Sequence, residues 1–78
     1  MTEETKGHIS CIIDELGTQY EKIAVLMNEA AQDYDSAVEV RDKGAKEKAI
    51  KEVGDYAYAC AAISRTIAIL REIKERRE

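Results

Sequence analysis

The stretch ISCIIDELGTQYEKIAVLMNEAAQDYDSAV, residues 9–38, decides the fold. Its apolar residues step by three and four without a miss: Ile9, Ile13, Leu16, Tyr20, Ile23, Met27, Ala30, Tyr34 and Ala37. That alternation is the seam of a heptad repeat, and it predicts one long helix over about residues 8–41. A second stripe, Ile12, Ala24, Leu26, Ala31, Val38 and Val40, widens the apolar face beyond what a single neighbouring helix can cover.

The pattern stops at Arg41-Asp42-Lys43-Gly44. Basic residues suit the negative pole of a helix end, and Gly44 can adopt the left-handed conformation that closes it. The turn is therefore expected at about 42–45. A second helix over about 46–75 follows, with its own seam at Ala49, Val53, Tyr56, Cys60, Ile63, Ile67 and Leu70. The block Ala57-Tyr58-Ala59-Cys60-Ala61-Ala62 is rich in small residues and invites close approach by another helix. The charged end, Arg71 to Glu78, is expected to fray. Gly17 and Gly54 each cost about 1 kcal/mol relative to Ala in a helix interior. Gly17 leaves open a second arrangement in which helix 1 breaks and three helices form.

With 78 residues there is room for one small domain, whose own core is marginal without a disulfide, a metal or a partner. The expected fold is thus an all-α antiparallel hairpin that self-associates into a four-helix bundle, as a homodimer or higher homo-oligomer. Tyr20, Met27, Tyr34, Tyr56, Cys60, Ile63 and Ile67 are the candidate interface residues. Charge favours pairing of unlike halves: residues 1–42 hold ten acids and three bases, residues 43–78 nine bases and six acids. The net charge of −4 argues against nucleic acid as a general partner.

No run of about 18 apolar residues exists, so no membrane span is expected. The opening Thr2-Glu3-Glu4-Thr5 is unlike the basic-then-apolar pattern of a secretory leader. Cys11 and Cys60 lack metal-ligand spacing, and a turn near 43–44 separates them by roughly 24 Å along the hairpin. Reduced thiols in a cytoplasmic setting are expected. His8 has no nucleophile or second ligand near it in sequence and reads as a surface residue.

Glu52 and Asp55, spaced i, i+3, project from one face of helix 2. Glu29 and Asp33 fall within about a turn of their level on helix 1. Facing acids repel unless a cation lies between them, and hard oxygen ligands suit Mg²⁺. The plainer reading of the spacing is a set of solvated acids, some paired with Lys22, Lys48 or Lys51.

The segment Ile50-Lys51-Glu52-Val53-Gly54-Asp55-Tyr56-Ala57-Tyr58-Ala59 resembles the second motif of the MazG-like all-α nucleoside triphosphate pyrophosphohydrolases. That family pairs a Glu-x-x-Asp helix with an upstream Glu-Glu-x-x-Glu. Asn28-Glu29-Ala30-Ala31-Gln32 occupies the upstream place here, so the resemblance spans about residues 26–63. It implies Mg²⁺ held by Glu29, Glu52 and Asp55 and bridging a nucleotide triphosphate, with Gln32 and Asp33 as neighbouring or substitute ligands. Asn28 and Gln32 depart from the pattern by replacing carboxylates with amides. No catalytic residue is assignable, and a divergent binding protein fits the motif as well as an active enzyme. The alternative reading is a non-catalytic assembly protein that binds another macromolecule, a protein partner, through its apolar helix faces.

Overall fold

Thr2 starts the first helix, α1 (Glu3–Glu39), earlier than the apolar seam alone suggests. Its hydroxyl accepts the Thr5 N–H at 3.1 Å, satisfying one of the amides that a helix start leaves unpaired. Glu3 and Glu4 then lie at the positive pole of the helix, where negative charge is stabilising. The computed structural model describes residues 1–76, and among these the chain forms two helices, α1 and α2 (Lys43–Glu75), with no strand. They pack against each other as a hairpin extending 58 × 16 × 12 Å. Among the described residues, no helix is long and apolar enough to cross a membrane. Arg77 and Glu78 of the charged end lie outside the described residues.

Gly17 does not break α1 and Gly54 does not break α2; both helices run through them. A continuous seam on either side of each glycine outweighs a local cost of about 1 kcal/mol.

The turn is tighter than the sequence suggests and closes on a different residue. No described glycine has a positive φ; Arg41 adopts the left-handed conformation instead, at φ 57°. The Asp42 N–H reaches back to the Ala37 carbonyl at 2.9 Å and the Arg41 N–H to the Val38 carbonyl at 3.2 Å. These two bonds are the Schellman closure of a helix end. Asp42 also caps α2, its Oδ1 accepting the Ala45 N–H at 3.1 Å. One residue thus ends α1 and begins α2, which draws Lys43 and Gly44 into the first turn of α2 rather than the loop.

This shortening changes the register. Tyr34 lines one cleft with Ile50, and Ala31 lines it with Val53; near the open end Ile13 neighbours Arg71. Residue i of α1 therefore lies level with about residue 84 − i of α2, three residues from the 87 − i that a turn at 43–44 gives. Cys11 is exposed and Cys60 buried, both free, and roughly 20 Å still separates their levels.

The interior of the hairpin is thin. Its buried residues are Ile9, Ala30, Ala37, Ala49 and Cys60, and only Ile9 among them is large. The chain exposes 6193 Å². A compact monomer of 8.8 kDa exposes about 4,800 Å², so this hairpin shows roughly 1,400 Å² in excess.

Candidate functional site

Two long sides flank the seam between α1 and α2, and they differ in chemistry. At about 100° per residue, heptad rows of each helix can be assigned to one side or the other. The clefts between the helices fix the assignment.

The first side holds the acids. Near the turn a cleft of about 450 Å³ is lined by Asp33 and Ser36 from α1, by its C-cap Val40, and by Ala45, Lys48 and Glu52 from α2. Glu52 is half-buried and lies 4.0 Å from the Lys48 ammonium, one turn earlier on the same helix. Asp33 is exposed on the opposite wall. Glu29 and Asp55 share a level under the observed register, but both are exposed and neither lines the cleft. Gln32 is exposed on a row turned away from α2. Among the described residues, no group of three or more His, Cys, Asp and Glu side chains converges closely enough to hold a metal ion. Mg²⁺ bound with a triphosphate needs only one or two protein carboxylates, the remaining ligands being phosphate and water. Asp33 and Glu52 are the part of the expected set that fits such a role. Glu29 and Asp55 do not close on them, and Lys48 brings a competing positive charge.

No family model, curated protein or solved structure matches this chain.

The second side carries little charge over most of its length. From α1 it takes the row Ile13, Tyr20, Met27, Tyr34 and the outer row Ser10, Gly17, Ala24, Ala31, Val38. From α2 it takes Val53, Cys60, Ile67 and the outer row Ile50, Ala57, Ser64. Charge appears at its ends and at Asp35, which lines the cleft with Ala31, Tyr34, Ile50 and Val53. Lys43 and Lys46 stand beside Val38 at the turn, and Asp14, Arg71, Lys74 and Glu75 frame Ile13 at the open end. The Lys46 ammonium sits 5.9 Å from the centre of the Tyr34 ring, an attraction between cation and ring face. Ile50 is 52% exposed and Tyr20 and Val38 are also open to solvent.

Of the expected interface residues, Tyr20, Met27, Tyr34, Cys60 and Ile67 fall on this weakly charged side. Tyr56 and Ile63 sit half-buried in the seam between α1 and α2. Ala31 and Ala57 are legible in the sequence as an apolar stripe and a small-residue block, and Lys48 as a partner of the acids, as its 4.0 Å approach to Glu52 bears out. The residues missed from the sequence are Ile50 here and Ser36 in the acidic cleft. The signal for Ile50 is the seven-residue repeat 50, 57, 64, which lies one row away from the seam. Tyr58, 80% exposed, points away from α1 on the outer surface of α2, and His8 is exposed near the N-terminus.

Proposed function

We propose that this chain is a helical assembly module, a hairpin that completes its core with helices from outside its own chain. The observation that carries this reading is the excess of about 1,400 Å² over a compact monomer, with a single large side chain in the buried set. The weakly charged side supports it further, because contiguous apolar surface of that length marks an interaction site. Two free thiols with no bridge within reach suit a reducing, cytoplasmic setting.

The test is dilution. At concentrations where light scattering gives the mass of one chain, the chain should lose its cooperative thermal transition and its slowly exchanging amides. A single chain that still unfolds cooperatively, with protected amides along both helices, overturns the reading.

A second reading is metal-dependent nucleotide binding of the MazG-like kind. It draws support from the half-buried Glu52 facing the same cleft as Asp33. Calorimetric titration with Mg²⁺ and a nucleoside triphosphate tests it, with Glu52→Gln as control. Absence of heat and of pyrophosphate release in the unaltered protein overturns it.

A further inference from the structure

We propose that the helices completing this module come from a second copy of the chain, which covers the weakly charged side with its own. The two copies are related by a twofold axis running along the helices, so that α1 lies over the partner's α2 and both turns sit at one end. The inference rests on the assembly reading and adds the occupant, the side and the orientation.

The side follows from charge. Between residues 9 and 38 of α1, and between 50 and 67 of α2, the two rows of each helix nearest this side carry no acid or base. Within these spans only Asp35, from the rim, lines its clefts with an acid besides Asp14 at the open end. The opposite side places Asp33 and Glu52 in the equivalent rows, and covering it with another apolar surface would strip water from both carboxylates. The area is sufficient. Twenty-nine rises of about 1.5 Å give roughly 43 Å, and a Cα width of 16 Å makes a footprint of roughly 700 Å². A stable interface buries about 600–1,000 Å² per partner, a range that contains this footprint. The footprint also accounts for about half of the excess surface.

The orientation follows from the rims. The α1 row bordering this side carries Asp14, Glu21 and Asp35. A twofold axis across the helices would lay α1 over the other copy's α1 and set that acidic row against itself. With the axis along the helices, the acidic row instead meets the α2 row Gly54, Ala61 and Ala68, which has acids only at its ends. Lys51 and Arg65 lie one row farther out, within two residues of the levels of Asp35 and Glu21 under the observed register. Rows of small residues at this contact let the helix axes approach closely. Gly54 has nothing within 4 Å of where a Cβ would stand.

The experiment uses the unaltered chain. Its exposed Cys11 takes a thiol-reactive spin label while the buried Cys60 is protected, and dipolar spectroscopy then measures the label separation. Two Cys11 labels at one end of the bundle, on diagonal helices, should lie about 30 Å apart. The crossed arrangement separates them by more than about 40 Å, since Cys11 is then about 19 Å from the centre of the interface in opposite directions. A second label at Glu39→Cys in a Cys11→Ser background should also give about 30 Å. Light scattering at 100 µM should report two chains. Ala57→Glu, in the middle of the weakly charged side, should weaken association on the order of a hundred-fold, whereas Ala62→Glu on the other side should leave it within about three-fold. A one-chain mass at 100 µM overturns the choice of occupant. If that single chain also lacks a cooperative transition, the assembly reading stands with a different partner; if it unfolds cooperatively, both fall. A two-chain mass with both separations beyond 40 Å overturns the orientation, and loss of association by Ala62→Glu alone overturns the side.

Discussion

If folding and pairing are one process, the melting temperature must fall on dilution, and by a calculable amount. For a folded dimer in equilibrium with two unfolded chains, each tenfold dilution shifts the balance by about 1.4 kcal/mol per dimer. Unfolding entropy is about 2.1 cal/mol/K per residue, so two chains of 78 residues give about 0.33 kcal/mol/K. The ratio is about 4 °C per tenfold dilution. Melts followed by circular dichroism at 1 and 100 µM should therefore differ by about 8 °C, with the reciprocal melting temperature linear in the logarithm of concentration. The structural reason is that, among the described residues, Ala30, Ala37 and Ala49 are three of the five buried side chains, and alanine contributes little apolar area. A melting temperature constant within about 1 °C across that range, at a mass of one chain, would refute the coupling.

The turn offers a pair of opposite effects. Arg41→Gly relieves a left-handed conformation costing about 1–2 kcal/mol for an L-residue. After the added entropy of glycine in the unfolded chain, a net gain of about 0.5–1 kcal/mol is expected, read as a higher urea midpoint at fixed protein concentration and unchanged slope. Asp42→Ala removes the cap on Ala45 N–H and should cost about 1 kcal/mol in the same assay. Gly7→Ala meets nothing within 4 Å in the first turns of α1 and should add about 0.5–1 kcal/mol of stability, read as a higher midpoint in the same assay. Glu52→Gln should leave the melting temperature within about 2 °C, because its pairing with Lys48 is a partly exposed contact at 4.0 Å. A larger drop would mean that the acidic cleft is part of the fold.

The hairpin was legible because heptad spacing is a strong, redundant signal. Nine consecutive seam positions in α1 agree, and Gly17 lies one row off the seam, so it interrupts none of them. The turn was misjudged because glycine is the residue most often found in the left-handed conformation, and Gly44 lay within reach of the break. Two features of Asp42 decide the matter instead. Its amide closes α1 and its carboxylate opens α2, and a single aspartate in that double role gives no clear pattern in sequence. The three-residue shift in register that results is enough to change which acids stand level. Asp55 moves from the level of Gln32 to that of Glu29, and Glu52 from Asp35 to Gln32.

The same shift explains why the acidic motif was easier to see in sequence than to find as a site. An i, i+3 pair guarantees that Glu52 and Asp55 share a broad face of α2, but that face is wide enough for one to line the cleft and the other to stand in solvent. Convergence across helices depends on row as well as level, and row is decided by how the seam is divided between the two sides. What distinguishes the sides is the placement of charge one row away from the seam, where the sequence shows only alternating small and polar residues. Ala31, Ala57 and Ser64 look incidental when read singly. Once the clefts assign them to one side with Tyr34 and Ile50, they mark where another helix can come close, and the acidic rim of α1 then restricts which helix it can be.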